Sequence, residues 1–383
     1  MSRGAQPERR RQALIARGAP HLYVHLPFCA HRCGYCDFVT SVGRRADHAG
    51  YVDALVAELE LERGLLATPL DTIFLGGGTP TFTEPGALGR LLEALPDAAE
   101  VTVEANPETV SDELAALLRA NRVTRVSLGA QSFQPALLEV LDRVASPDDV
   151  RRAVYRLRDA GFDNISLDLI YGIPGQSPAD LASDLAEALA LEPEHISAYE
   201  LEAKPGTRFT HAHGAELARQ AESMESYFEL VVETLTRAGF RWYETANFAR
   251  PDPRSRDLRS RHNLGYWLGH DYLGLGVGAV STIENRRWRN APSVRGYVDA
   301  LLARGRPPRE LEELSDGIRE TERVMLGLRL DEPVTVEAGE RMLDQAGLER
   351  LERLGLVTRN GDTVALTPRG RFLGDDVTAT LLA

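Results

Sequence analysis

Six short apolar runs alternate with amphipathic stretches between about residues 20 and 202. The runs are rich in β-branched and aromatic residues and are bounded by Gly, Pro, Asn or Asp, which is typical of strands. They cover 21–26, 72–76, 100–104, 124–129, 164–169 and 195–201. Segments with helical periodicity separate them, at 47–66, 86–95, 111–121, 148–160 and 178–191. Because strands that alternate with helices form parallel βαβ units, the pattern predicts an α/β fold, either a partial (β/α)6 barrel or a doubly wound sheet.

Polar and glycine-rich segments directly follow the predicted strands. In barrel enzymes, the loops at the carboxyl ends of the strands build the active site. We therefore expect these segments to meet around one ligand site at the top of a barrel. They are 29–36, 76–80, 104–108, 131–133, 168–175 and 204–207.

All the cysteines of the chain lie in the first of these segments, spaced as Cys29-x3-Cys33-x2-Cys36. Three thiols cannot all pair as disulfides, so a structural crosslink is a poor interpretation. Three thiolates can hold three irons of a cubane [4Fe–4S] cluster and leave the fourth iron open. A Cys3His zinc site is the alternative, with His25 or His31 as the fourth ligand. The spacing favours iron and sulfide, and it leaves zinc open.

The overall composition excludes several classes of function. The chain has 383 residues with a formal net charge of −13, which is unfavourable for non-specific binding to nucleic-acid phosphates. Residues 1–18 are rich in arginine but have no apolar stretch, so we do not predict a signal peptide. No run approaches the roughly 18 apolar residues of a membrane span. We expect a cytoplasmic protein.

The sequence predicts four parts, which are an N-terminal arm over 1–19, a barrel over 20–245, an extension with a linker over 246–305 and a small winged-helix-like domain over 306–383. A helix predicted over 216–238 ends at Gly239. Near the C-terminus, helices precede a hairpin with an Asn360-Gly361 turn. From residue 307 onward, ten Lys and Arg stand against sixteen Asp and Glu, which favours a lid or a protein partner over DNA.

The cysteine spacing resembles the cluster loop of the radical S-adenosylmethionine (SAM) superfamily, and Gly76-Gly77-Gly78 resembles its SAM-amino-binding motif. A longer ordered set of motifs is more specific. It consists of 22–29, 76–80, 104–108, 129–133, 168–172 and His262-Asn263-x2-Tyr266-Trp267. Over about residues 20–375, this set resembles the family of oxygen-independent coproporphyrinogen III oxidase and its HemW-type heme chaperone relatives.

The resemblance implies a radical SAM partial barrel, with a [4Fe–4S] cluster on Cys29, Cys33 and Cys36 and SAM at the open iron. The cluster and SAM would supply the one-electron chemistry, and the protein would mainly position them. It implies SAM contacts at the positions that match the family's motifs, which are Tyr23, Gly77, Gly78, Thr79, Glu104, Gln131, Arg143 and Asp168. Val280 matches the position that packs the adenine.

One position separates the two branches of the resembling family. The oxidase branch carries a fourth cysteine two residues after the third, and this chain has Phe38 there. The oxidase branch also has a longer N-terminal arm. The resemblance therefore implies a chaperone that binds heme and passes it to an acceptor hemoprotein of the respiratory class, and it does not identify the electron donor. His262, which stands beside aromatic residues, is the candidate heme ligand.

Two other functions stay open at this point. One is the radical SAM oxidation of coproporphyrinogen III in porphyrin biosynthesis, so the sequence does not decide whether the chain is an enzyme. The other is a zinc-stapled barrel that binds a protein partner.

Overall fold

The computed structural model describes residues 18–43, 45–204, 208–336 and 343–382. Most of the predicted N-terminal arm (1–19) lies outside these residues. The strands in chain order are β1 (His21–Leu26), β2 (Phe28–Cys29), β3 (Ser41–Val42), β4 (Leu70–Gly77), β5 (Ala98–Ala105), β6 (Arg125–Gln131), β7 (Ile165–Tyr171), β8 (His195–Glu200), β9 (Arg241–Trp242), β10 (Asn247–Ala249), β11 (Tyr272–Leu275), β12 (Val280–Ile283), β13 (Arg286–Asn290), β14 (Arg309–Glu313), β15 (Val334–Thr335), β16 (Val357–Asn360) and β17 (Thr363–Leu366).

The helices alternate with the strands over the first two thirds of the chain. In chain order they are α1 (His48–Glu62), α2 (Pro85–Ala94), α3 (Asp112–Ala120), α4 (Pro135–Val140), α5 (Pro147–Asp159), α6 (Pro178–Ala190), α7 (Arg208–Gln220), α8 (Met224–Arg237), α9 (Arg261–Trp267), α10 (Val294–Leu302), α11 (Asp316–Gly327), α12 (Gln345–Arg353), α13 (Pro368–Phe372) and α14 (Gly374–Leu381). Ser146 and Ser177 form capping boxes at the starts of α5 and α6.

The predicted α/β fold is confirmed. Six parallel strands lie side by side in the order of the chain, β1-β4-β5-β6-β7-β8, without the reversal of order that marks a doubly wound sheet. Because each crossover has the same hand, the helices cover one face and the sheet curves into a barrel. As far as the structure describes the chain, β14 and β9 are the edges of this sheet, so the barrel is open.

The barrel sheet is extended on the β1 side by a segment that sequence patterns did not resolve. β11 pairs in parallel with β1, and β12, β13 and β14 follow it as antiparallel strands. Residues 309–313 therefore belong to the main sheet, although the predicted domain boundary stood at 306. The C-terminal helices begin at Asp316, and β15, β17 and β16 form their own small sheet. The hairpin predicted at Asn360-Gly361 joins β16 and β17.

The helix predicted over 216–238 is wrong in its extent. A short 3-10 turn at Ala221–Ser223 separates α7 from α8. The side-chain amide of Gln220 donates to the carbonyls of Ile173 and Gln176, at 3.0 and 3.1 Å, and so fixes the end of α7 to the loop after β7. No helix among the described residues combines the length and apolar character that crossing a membrane requires.

Candidate functional site

The cysteine loop leaves the top of β1 and is fixed at both of its ends. The amide of Ser41 donates to the Pro27 carbonyl at 2.7 Å, and the amide of Gly43 donates to the Cys29 carbonyl at 2.9 Å. These bonds form the short parallel ribbon of β2 and β3. Between the fixed ends, Cys29 is buried, and Cys33 and Cys36 are partly exposed.

A continuous chain of polar side chains connects Cys29 to Cys33 across the ends of the strands. The Thr79 hydroxyl donates to the Cys29 sulfur at 3.6 Å, and the Asn106 amide donates to the Thr79 hydroxyl at 3.1 Å. Arg143 completes the chain, because it donates to the Asn106 carbonyl oxygen at 2.9 Å and to the Cys33 sulfur at 3.5 Å. The structure therefore brings together four residues of the predicted site. It adds Asn106, which lies in the segment 104–108 but is not among the predicted SAM contacts.

The donor set of this loop fits an iron–sulfur cluster with SAM. Burial raises the pKa values of Cys29 and Cys36, and the neighbouring thiols raise the pKa of Cys29 further. Mutually repelling thiolates need a cation, and a metal centre supplies one. Among the described residues no three His, Cys, Asp or Glu side chains already stand at ligand separation, so the sulfurs would turn toward a common centre on binding. The Nε of Arg143 is buried and has no hydrogen-bond partner in the described chain, which leaves a donor for a ligand carboxylate.

The glycines that end β4 have a steric role in the fold. Gly77 has φ +110°, and a Cβ there would lie 2.5 Å from the His25 ring. A Cβ on Gly78 would lie 2.7 Å from the backbone carbonyl of Pro27. Close approach of β4 to the start of the cysteine loop thus accounts for both glycines. Their contact with SAM stays a prediction.

Two acidic side chains lie below the cysteine loop. Glu104 accepts a hydrogen bond from the Gly77 amide at 3.2 Å, and burial together with the Asp168 carboxylate raises its pKa to about 7. Burial also raises the pKa of Asp168, although Arg125 and the Ser127 hydroxyl stabilise its charged form. These carboxyls can accept hydrogen bonds from a polar ligand, as the SAM prediction requires.

Gln131, another predicted SAM residue, lies at a β-bulge at the end of β6. Its φ is +64°, and the register between β6 and β7 shifts between Gly129 and Gln131. Bulges redirect side chains at the rims of barrels, so this backbone feature is compatible with a ligand contact.

A cavity of about 470 Å³ lies between β1, the sheet extension and α11, and it reaches Phe38 and Val39 just after the cysteines. Tyr23 and Val280, both predicted SAM residues, line it rather than the polar chain at the cysteines. Its other aromatic lining consists of Tyr266, Trp267 and Tyr272. Its cationic lining consists of Arg287, Arg289, Arg319 and Arg323. Asp37 and Glu322 also line it, so the charged lining is on balance basic. An aromatic and basic lining suits a flat apolar ligand that carries carboxylates.

His262, the predicted heme residue, lies behind the wall of this cavity. It is 1% exposed, and both ring nitrogens have partners. Its Nδ1 lies 2.7 Å from the Thr72 hydroxyl, and its Nε2 lies 2.9 Å from the hydroxyl of Tyr266. Tyr266 and Trp267, from the same motif, reach the cavity itself.

His270 and Arg289 are cavity residues that sequence reasoning missed. Both are exposed and both face the cavity. Neither belongs to a motif after a parallel strand, so spacing gave no signal for them. A histidine shortly after the aromatic pair Tyr266-Trp267 was the available clue for His270.

Comparison with known families agrees with this geometry. The profile described as the radical SAM superfamily matches residues 23–188. The profile described as the HemN C-terminal domain matches residues 319–373. The first match spans the strands that carry the cysteine loop, and the second spans most of the C-terminal helices and hairpin.

Several relatives are similar over nearly the whole chain. The heme chaperone HemW of Mycobacterium tuberculosis is 39% identical over 376 residues, which are 94% of this chain and 94% of the relative. HemW of Bacillus subtilis is 35% identical over 378 residues, covering 94% and 98%. Among solved structures, the coproporphyrinogen III oxidase HemN from Escherichia coli has a TM-score of 0.78 at 24% identity, covering 98% of this chain and 93% of that one. This last likeness shows the fold alone.

Proposed function

The chain belongs to the HemW family of radical SAM proteins, and from this premise we propose that it binds heme and transfers it to an acceptor hemoprotein. The observation that carries the proposal is the cavity beside the cysteine loop, with its aromatic and basic lining. A porphyrin needs a flat apolar surface for its ring and cations for its two propionates. Respiratory hemoproteins are the proposed class of acceptor.

The lining gives each part of a porphyrin a matching group. Tyr266 and Trp267 supply aromatic surface to the cavity, although the Arg329 guanidinium lies over the Trp267 ring at 4.4 Å. The indole nitrogen of Trp267 is a buried donor without a partner in the described chain. Arg287 pairs with Glu322 at 2.7 Å, whereas Arg289 makes no ion pair with any described residue. Arg289 is therefore our candidate for binding a propionate.

We assign Cys29, Cys33 and Cys36 to a [4Fe–4S] cluster and the polar residues around them to SAM. When bound, these groups supply one-electron chemistry at the open iron. The chain's own part is to hold the sulfurs and to orient the ligand. Arg143 would pair with the SAM carboxylate, and Glu104 and Asp168 would accept hydrogen bonds from its polar groups.

Heme titration of the protein, followed by absorbance, tests the proposal directly. We expect saturable binding to one site, and Arg289→Gln should weaken it about fivefold, as the loss of one exposed charge-assisted contact would. Heme dimethyl ester, which lacks the free carboxylates, should bind both proteins equally. Arg295→Gln, at an exposed position of α10, is the matched control. Failure of the unmodified protein to bind heme would contradict the proposal.

Anaerobic reconstitution with iron and sulfide tests the metal assignment. We expect about four irons and four sulfides per chain. Stoichiometric zinc without acid-labile sulfide would instead support a structural zinc site.

Coproporphyrinogen III oxidation is the second candidate, and the arginines that line the cavity are the observation that favours it. Its substrate is also a carboxylated tetrapyrrole, which the same cavity would suit. Complementation of a strain without coproporphyrinogen oxidase distinguishes the two functions. Growth without added heme would support the oxidase, and absence of growth with intact heme binding would support the chaperone.

A further inference from the structure

His270 lines the cavity, and one of its two ring nitrogens is hydrogen-bonded to the protein. His270 is exposed to the cavity, and its Nδ1 lies 3.0 Å from Nε2 of the buried His21. The two rings are stacked at 5.3 Å with an interplanar angle of 10°. This contact leaves Nε2 of His270 as the ring nitrogen that can bind a ligand.

The hydrogen-bonded series behind His270 runs through four groups in all, which are His21, Thr72, His262 and Tyr266. His21 Nδ1 lies 2.8 Å from the Thr72 hydroxyl, which lies 2.7 Å from His262 Nδ1. His262 Nε2 then lies 2.9 Å from the hydroxyl of Tyr266. Burial lowers the pKa of His21 to about 3 and lowers the pKa of His262 as well, so the rings are neutral.

These neutral rings and hydroxyls can donate their hydrogen bonds in either of two directions along the series. In one, Tyr266 donates to His262 and the series ends with an N–H on His270 Nε2 that faces the cavity. In the other, His270 Nδ1 donates to His21, His21 donates to Thr72, Thr72 donates to His262, and His262 donates to Tyr266. Both directions hold the same number of protons, and the second leaves a lone pair on His270 Nε2. Metal-bound histidines usually donate their other N–H in this way.

On the basis of the proposed function, we propose that His270, and not His262, binds the iron of heme, through Nε2. The step forms one coordinate bond from the nitrogen lone pair to iron, with no redox change and no net loss of protons from the chain of side chains. His21 acts as a positioning residue, because its hydrogen bond fixes the tautomer and the orientation of the ligand. His262 acts further back in the same chain, where each of its ring nitrogens already has a partner.

The experiment compares heme with metal-free protoporphyrin IX, since only heme has the iron. His270→Ala should weaken heme binding roughly ten- to a hundredfold and change the Soret band and the EPR signal of the ferric complex. The same variant should bind protoporphyrin IX like the unmodified protein. Added imidazole should restore the heme spectrum of His270→Ala. His211→Ala is the control, because this histidine is also exposed but lies on α7.

The outcomes separate this inference from the proposed function. If the unmodified protein binds no heme, the proposed function fails. If it binds heme and His270→Ala has an unchanged affinity and spectrum, the inference is overturned and the proposed function stands. If His262→Ala alone shows the heme-specific loss with imidazole rescue, the iron ligand is His262. Since His270 is exposed but bonds to the buried His21, its replacement should lower the thermal unfolding temperature by only a few degrees.

Discussion

The partly buried carboxyl of Glu104 should give the fold a pH dependence that one substitution removes. Burial and the nearby Asp168 carboxylate raise its pKa from the usual 4.5 to about 7. Between these pH values the folded protein holds a proton that the unfolded chain releases. The associated stability is therefore fully present below about pH 4.5 and is lost as the pH rises through 7. The shift corresponds to about 3 kcal/mol of unfolding free energy, since one pKa unit is about 1.4 kcal/mol.

Glu104→Gln replaces the carboxyl with a neutral group of the same shape that still accepts from the Gly77 amide. We expect the variant to match the unmodified protein at low pH and to exceed its unfolding free energy by about 3 kcal/mol at about pH 8. Urea unfolding of the cofactor-free protein from about pH 5 to pH 8, followed by tryptophan fluorescence, measures the difference. Glu108→Gln, an exposed carboxyl of the same segment, is the control. Parallel loss of stability in Glu104→Gln and the unmodified protein would refute the reasoning.

Three further changes test the cysteine loop and its supports. Gly77→Ala should destabilise the protein by about 2–4 kcal/mol, because the φ of Gly77 is +110° and the new Cβ would lie 2.5 Å from the His25 ring. Urea unfolding measures the change in unfolding free energy, and a loss below about 0.5 kcal/mol would contradict the prediction. Cys33→Ala should abolish the cluster, and iron and sulfide analysis after anaerobic reconstitution checks the loss; full retention would remove Cys33 as a ligand. Phe38→Cys should leave the fold intact, since Phe38 is 65% exposed, and should yield no oxidase activity; decarboxylation of coproporphyrinogen III would show otherwise.

The barrel and the polar ends of its strands were predictable because they depend on local patterns. Each parallel strand is a short apolar run, and the segments that follow adjacent strands must meet at one edge of the sheet. For this reason Thr79 and Arg143, which are distant in sequence, both reach the cysteines.

The cavity was less accessible to sequence reasoning. Its walls come from β1, the sheet extension and α11, so they depend on pairing between β11 and β1 over some 250 residues. Nothing in the local pattern around Arg289 or His270 indicates which elements lie opposite. The aromatic motif at Tyr266-Trp267 pointed to the correct wall, and its histidine lies on the inner side of that wall.

The fixed ends of the cysteine loop have a consequence for loss and rebuilding of the proposed cluster. The Ser41 and Gly43 bonds are made by the backbone alone, and no sulfur takes part in them. Loss of the proposed [4Fe–4S] cluster would therefore leave these backbone hydrogen bonds in place, with Cys33 still next to Arg143. We therefore expect that the proposed cluster can be lost and rebuilt without unfolding of the chain.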